Sequence, residues 1–233
     1  DKETGLLRPI LPNGKFLTPF HPTLGRDFEP NPGFHEGNSW NYSFYVPHDI
    51  RGLAKLMGGE RKFVDKLQSV FDKENYDPAN EPDIAYPYLF TYFPKEAWRT
   101  QRITSKLLSK YYRNEPSGIP GNDDTGAMSA WAIFTMLGFY PDCPGSMSYA
   151  LTTPVFDKVT LHLDTKYYKN PTLIIETTPV DSESSRRGIY FDTFKVGNYK
   201  NVYRINHDEL MNAGKVTFYT KLTGGTPEIV ACQ

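Results

Sequence analysis

Asp123 and Asp124 are adjacent carboxylates in a loop bracketed by glycines, Gly121-Asn122-Asp123-Asp124-Thr125-Gly126. Paired acids at the edge of a rigid element can activate a water molecule as a general base or hold a cation. The same residue types suit a helix N-terminus, where an acid accepts from free backbone N–H groups, so simple capping is the competing reading. The following residues, Ala127-Met128-Ser129-Ala130-Trp131-Ala132-Ile133-Phe134-Thr135-Met136-Leu137, contain almost no polar position and end on Gly138. That pattern predicts about three turns of helix without a solvent face, stopped by a left-handed glycine. Such a helix belongs inside a larger helical assembly and gives the acid loop a fixed base.

Two more polar stretches have the residue types for chemistry. In Phe34-His35-Glu36-Gly37-Asn38-Ser39-Trp40-Asn41-Tyr42-Ser43-Phe44 a carboxylate is set among aromatics and amides. Burial against aromatic rings raises a carboxyl pKa, which a general acid working near neutral pH requires; a structural hydrogen-bonding role for Glu36 is the alternative. Asn41-Tyr42-Ser43 reads as a glycosylation sequon, but its place in the densest aromatic block predicts a buried, unmodified asparagine. Asn80-Glu81-Pro82-Asp83 is a polar turn before the aromatic run Tyr86-Pro87-Tyr88-Leu89-Phe90. Amide and carboxylate oxygens gathered in a turn suit a hard cation such as calcium, against the plainer reading of a turn and helix cap.

Positioning these loops falls to helices first and strands afterwards. Ile50 to Met57 is a helical stretch closed by Gly58-Gly59, and Phe63, Val64, Leu67, Val70 and Phe71 keep the spacing of one buried helix face. A further helix is expected from Pro94 through Trp98, Ile103, Leu107, Leu108 and Tyr111. Residues 1 to about 35 hold no periodic segment, which suggests loop architecture around a site or packing on something outside this chain. After Gly138 the pattern alternates at Val155 to Leu163, Leu173 to Thr177, Val202 to Ile205 and Val216 to Tyr219, with Gly, Asn and Pro turns between. The expected organisation is a helical part over 1–142 carrying the loops and an antiparallel β region over 143–233 as support, with His162 and His207 as scaffold.

Composition narrows the partners. A net charge of −1 argues against nucleic acid or an anionic membrane as the main partner. No apolar run reaches spanning length and no signal peptide opens the chain at Asp1. Sixteen Tyr, fifteen Phe and three Trp are more aromatics than the core demands, and aromatic faces suit the apolar faces of sugar rings. Two cysteines, Cys143 and Cys232, make at most one bridge, and a buried free thiol at Cys143 is equally compatible.

Taken together, the motifs resemble those of the glycoside hydrolase family 92 α-mannosidases. The matching blocks are His35-Glu36-Gly37-Asn38-Ser39-Trp40 with Val46-Pro47-His48-Asp49, Asn80-Glu81-Pro82 with Tyr86-Pro87-Tyr88-Leu89, and Trp98-Arg99-Thr100-Gln101. They continue with Gly121-Asn122-Asp123-Asp124 and Ser129-Ala130-Trp131, Leu137-Gly138-Phe139-Tyr140-Pro141 with Pro144-Gly145, and His207-Asp208-Glu209-Leu210. The resemblance implies an α+β chain: the last helices of an (α/α)6 barrel followed by a β region. It also implies a fragment, because members of the family carry an N-terminal β-sandwich and earlier barrel helices; that N-terminal remainder of the same enzyme becomes an expected partner.

What the resemblance implies chemically is exo-acting, calcium-dependent hydrolysis of terminal α-mannosides of N-glycans or mannan with inversion, on a secreted enzyme, periplasmic if bacterial. Glu36 matches the family's general acid; Asp123 or Asp124 is left as the general base, with Asp124 preferred from its place in the motif. Calcium would draw ligands from Asn80, Glu81 and the neighbourhood of Asp124, and would contact the 2- and 3-hydroxyls of the sugar. Asn38, Trp98, Arg99 and Gln101 would shape the mannose pocket. Many members have Gly-Asp-Glu-Asp where this chain has Gly121-Asn122-Asp123-Asp124, so an assisting acid is an amide here. Members specific for α-1,2 linkages often carry Ser-His-His where this chain has Asp83-Ile84-Ala85, which leaves the linkage open. Two alternatives stand beside this reading: a non-catalytic mannose-binding or structural fragment, and another (α/α)6 inverting glycosidase or a phosphorylase.

Overall fold

A computed structural model of the chain describes residues 1–25, 33–180, 188–196, 199–200 and 203–222. Cys232, the conceivable partner of the buried thiol Cys143, lies outside the described residues, as does Val202. Two compact units emerge: Asp1–Tyr86 with Pro120–Asp124, and Pro87–Ile119 with Thr125–Gln233.

In the first unit the helices are α1 (Ser39–Tyr42), α2 (Ile50–Leu56) and α3 (Glu60–Asp72). The Asp49 side chain caps α2 by accepting from Gly52 N at 2.8 Å, and Gly58 and Gly59 turn the chain into α3 at φ 96° and 108°, values open to glycine at little cost. On α3 the expected stripe is buried at Phe63, Val64, Leu67 and Val70, while Phe71 lies at its edge and packs on Tyr76 with ring centroids 5.2 Å apart. Each fully buried side chain of that kind stabilises the unit by about 1.5–3 kcal/mol. The stripe continues into aromatic packing, with Phe44 meeting Phe63 at 5.5 Å and Tyr86 at 5.4 Å, both edge to face. Residues 1–25 run as turns with one isolated bridge, Ile10 to Phe16, in keeping with the absence of periodicity there.

The second unit contains α4 (Trp98–Tyr111), α5 (Ala127–Leu137) and α6 (His207–Met211). The helix expected from Pro94 starts later: Pro94–Glu96 forms a separate 3-10 turn, and α4 begins at Trp98. Proline fits the first position of either helix type, so the start signal was real but the pitch was not fixed by it. The α5 helix ends where expected, with Gly138 left-handed at φ 96°. Its burial is incomplete, because Met128, Trp131, Ala132 and Thr135 are covered while Ile133 is 58 % exposed. Tyr88 stacks on Tyr140 at 4.5 Å and bonds to Thr135 Oγ1 at 2.5 Å, so α5 is held by aromatic and polar contacts together.

Among the described residues eight strands follow: β1 (Phe139–Tyr140), β2 (Ser148–Leu151), β3 (Lys158–His162), β4 (Thr172–Pro179), β5 (Tyr190–Val196), β6 (Tyr199–Lys200), β7 (Arg204–Asn206) and β8 (Lys215–Lys221). One antiparallel sheet has the order β1-β2-β7, and a five-stranded sheet has the order β3-β4-β8-β5-β6. The wholly antiparallel region expected from the strand patterns is corrected at one place: β4 and β8 pair in parallel, with Ile175 opposite Val216. A parallel pair needs a long crossover rather than a turn, and here the chain passes through β5, β6, β7 and α6 before returning as β8. The register of β5 on β8 slips between Phe191 and Thr193. That bulge lets Phe191 and Phe194, three apart, both face the core formed with Leu173, Ile175, Val216 and Phe218.

Across the small sheet, Arg204 grips Asp142 with both guanidinium arms, at 3.0 and 2.8 Å, and lies 4.1 Å from the centre of the Tyr92 ring. His207 lies between Tyr149, 2.8 Å from Nδ1, and Tyr168, 3.4 Å from Nε2, the scaffold place expected for it.

Candidate active site

The three polar stretches come together in the first unit. Glu36 stands in a turn at φ 50°, followed by Gly37, whose position leaves no room for a side chain because a Cβ would approach Tyr42 Cε2 at 2.9 Å. The Glu36 carboxylate is half exposed and lies 3.5 Å from His35 Nε2. Below it, Asn38 starts α1: its Oδ1 accepts from Trp40 N at 2.9 Å and Asn41 N at 3.3 Å, and its Nδ2 donates to Thr23 O at 3.3 Å. Asn38 is 2 % exposed, so its side chain is committed to the cap that fixes the turn.

Asn80 joins this turn to the next. Its Nδ2 donates to the backbone carbonyl of Glu36, while its Oδ1 accepts from Glu81 N at 3.1 Å, opening the 3-10 turn Glu81–Asp83. Glu81 is exposed. Beneath it Asp83 is wholly buried; its Oδ2 accepts from Asn41 Nδ2 at 2.9 Å and Asp77 N at 2.8 Å. Burial pushes the Asp83 carboxyl well above the usual carboxylate range. The Asn41 amide gives its other hydrogen to Asn75 O at 3.1 Å and is 1 % exposed, so the sequon asparagine is buried as expected.

Against this turn lies the acid loop. At Gly121 a Cβ would come 2.9 Å from Ala79 Cβ and 3.1 Å from Ala79 Cα, so the loop is seated directly on the residue before Asn80. Asp123 at φ 56° and Thr125 at φ 53° take left-handed conformations that side chains rarely adopt. With Glu36, three of the four non-glycine residues of positive φ among the described ones belong to the two acid loops. Backbone strain of this kind, about 1–3 kcal/mol per residue, gathers where geometry serves function. The N-cap position of α5 is Gly126, which makes no side-chain cap bond, and Asp124 opens a 3-10 turn just before it.

Trp98, Arg99 and Gln101 belong to the second unit, at the start of α4. Arg99 donates to Glu96 Oε2 at 2.7 Å and lies 4.8 Å from the centre of the Trp98 ring. Gln101 is 2 % exposed; it lines a cavity of about 200 Å³ with Thr104, Thr135 and Thr153, and its Oε1 has no hydrogen-bond partner. Asp83 is the residue that sequence reasoning passed over. By sequence it is one oxygen donor of the polar turn Asn80-Glu81-Pro82-Asp83 and part of the departure at Asp83-Ile84-Ala85, and residue type carries no signal of its burial.

Comparison with known proteins settles the family. The model of the glycosyl hydrolase family 92 catalytic domain matches residues 1–221. The chain belongs to that family. A family 92 α-mannosidase from Bacteroides thetaiotaomicron, solved in complex with mannoimidazole, is 25 % identical, with a TM-score of 0.81 over 96 % of this chain and 31 % of its own. A family 92 inverting mannosidase from the same organism is 26 % identical, with a TM-score of 0.80 over 96 % of this chain and 32 % of its own. An uncharacterized secreted glycosidase of Arthroderma benhamiae is 31 % identical over 169 residues, which are 72 % of this chain and 19 % of that protein. The family 92 chain described here therefore spans about a third of those solved relatives and a fifth of that curated one. No helix among its described residues is long and apolar enough to cross a membrane.

Proposed function

We propose that this family 92 chain is the catalytic part of a calcium-dependent, exo-acting, inverting α-mannosidase that removes terminal mannose from N-glycans or mannan. The observation that carries the reading is the meeting of three loops in one unit: Asn80 bonded to the Glu36 carbonyl, and Gly121 of the acid loop seated on Ala79. The mannosidase names of the solved relatives support the substrate, and the inverting one supports the stereochemistry.

In the proposed reaction the Glu36 carboxylic acid gives its proton to the glycosidic oxygen as the bond from that oxygen to the anomeric carbon breaks. The Asp124 carboxylate takes a proton from a water molecule whose oxygen bonds to the anomeric carbon from the opposite face, so an α-mannoside yields β-mannose. Asp123, next to it in the same loop, is the second candidate for that base. The family resemblance assigns Trp98, Arg99 and Gln101 to the mannose pocket, and Asn38 acts on it through the turn it caps.

Calcium fits the donors on chemistry: the Asn80 amide oxygen, the Glu81 carboxylate and the Glu36 carbonyl are hard oxygens in adjoining turns, with Asp124 on the loop beside them. No group of three or more His, Cys, Asp or Glu among the described residues could hold a metal by itself, so carbonyls, water and sugar hydroxyls would complete the shell. When bound there, it would supply positive charge that orients the 2- and 3-hydroxyls of the mannose. Residues 1–142 are assigned to the end of an (α/α)6 catalytic barrel and 143–233 to its β support, with the N-terminal remainder of the same enzyme closing the barrel. Secretion is proposed from the glycan substrate and from the name of the fungal relative.

The test is hydrolysis of a panel of α-mannobiosides by the full-length enzyme, with and without chelator, following the product anomer by NMR. Calcium-dependent β-mannose release that Glu36→Gln abolishes, with sugar and calcium still bound, is expected. Release of α-mannose, indifference to chelation or unchanged turnover in Glu36→Gln would refute the respective part.

A further inference from the structure

The Glu36 turn and the Asn80–Glu81 turn are tied at two points. At one end Asn80 Nδ2 donates to the Glu36 carbonyl. At the other, Asp83 Oδ2 accepts from Asn41 Nδ2 at 2.9 Å, and the Asn41 Oδ1 accepts from Asn38 N at 3.0 Å, two residues beyond Glu36. The bonds close a ring: Glu36, Asn38, Asn41, Asp83 and back along the chain to Asn80. A single tie would let one turn pivot on the other, whereas two ties fix their relative orientation. The Asp83 oxygen also accepts from Asp77 N at 2.8 Å, and the Asp77 side chain in turn accepts from Ala79 N at 2.9 Å, so the segment leading into Asn80 is held by the same carboxyl group.

The geometry points to Asp83 as a positioning residue that locks the turn of the general acid to the turn of the cation, resting on the mannosidase reading given above. Asp83 touches neither sugar nor metal in this role. A group of lower cost would serve if packing were all that was needed here: Asp83 has 0 % exposure and its Oδ1 has no hydrogen-bond partner, a loss that an apolar residue of similar size avoids. What an apolar residue lacks is the acceptor that Asn41 Nδ2 and Asp77 N share. An asparagine keeps that acceptor in nearly the same shape, which makes it the conservative variant.

Asp83→Ala, Asp83→Asn and Asn41→Ala in the full-length enzyme test this. Asp83→Ala is expected to lower kcat about 10- to 100-fold, the usual cost of losing an orienting partner, with KM little changed. Asp83→Asn should recover most of that loss. Asn41→Ala should match Asp83→Ala, and the double alanine variant should be no worse than either single one, because both remove the same tie. Calcium titrated alone by calorimetry should bind about 10- to 100-fold more weakly to Asp83→Ala and near normally to Asp83→Asn. Wild-type kcat and calcium affinity in a folded Asp83→Ala, or losses that multiply in the double variant, would overturn the assignment. Alanine variants that both fail to fold would make Asp83 a fold determinant and overturn it equally. Wild-type enzyme without mannosidase activity would sink the reaction alone; calcium affinity then decides, and no difference between wild type and Asp83→Ala overturns the positioning role.

Discussion

Replacing Gly121 by alanine tests how the acid loop is seated. The added methyl carbon would lie 2.9 Å from Ala79 Cβ and 3.1 Å from both Ala79 Cα and Ala79 O. Non-bonded carbons rest about 3.5–4.0 Å apart, so the loop or the Ala79 backbone must retreat by about 0.5–1 Å. No flexible side-chain end can absorb the shift, since two of the three atoms met are backbone. Overpacking of that size costs about 1–3 kcal/mol of stability. It also moves the carboxylates of Asp123 and Asp124 away from the Glu36 and Asn80 turns, and a misplacement of about 1 Å lowers turnover about 100-fold. The assay is kcat/KM on the best α-mannobioside together with urea unfolding of the full-length enzyme. Gly145→Ala is the control, because nothing lies within 4 Å of a Cβ there. Wild-type turnover and stability in Gly121→Ala would refute the seating of the loop on Ala79.

Arg204→Met should destabilise the β region by about 3–5 kcal/mol, because Asp142, with its side chain 1 % exposed, is left buried and unpaired. The double change Arg204→Met with Asp142→Leu should recover most of that, which thermal or denaturant unfolding reads directly. Burial, and then the charge of Asp142, push the Tyr140 phenol up to about 12. A raised pKa in the folded state means that stability is fully present below the unfolded value of about 10 and is lost as pH rises toward 12. Tyr140→Phe should therefore reduce, without abolishing, the alkaline loss of stability, and ultraviolet titration should show one late-titrating phenol fewer in the variant than in the wild type, where burial also raises Tyr86, Tyr88 and Tyr92. For Asn41, peptide mass spectrometry of protein made in a eukaryotic host should find no glycan, since both amide hydrogens are engaged inside the fold.

Periodicity made the helices and most strands legible. The α3 stripe, the left-handed stop at Gly138 and the β-rich second half follow from residue spacing and turn residues alone. What stayed hidden depended on pairing across the chain. Nothing in the composition of β4 and β8 separates a parallel from an antiparallel partner, because both are strands buried alternately on one face. The bulge at Phe191 to Thr193 is hidden for the same reason: it shows only when a register is compared with its neighbour. Pro94 marked a helical start without specifying that a 3-10 turn would precede α4.

The site divides along the same line. Residue types raised Glu36, Asn80, Glu81, Asp123 and Asp124 as candidates beside capping and structural readings, and the family resemblance gave them their roles. Their grouping could not be read from types, since it depends on an amide of Asn80 reaching the Glu36 carbonyl 44 residues away and on Gly121 meeting Ala79. Asp83 shows why the two kinds of information differ. By type it is one more acid in a polar turn, and solvent would be its expected surrounding. By position it is enclosed, and its one engaged oxygen serves Asn41 and Asp77 at once. The buried acid ties the two turns together from within, while Glu36 and Glu81 on the same turns remain exposed, the places the proposed reaction gives to the general acid and to a calcium ligand.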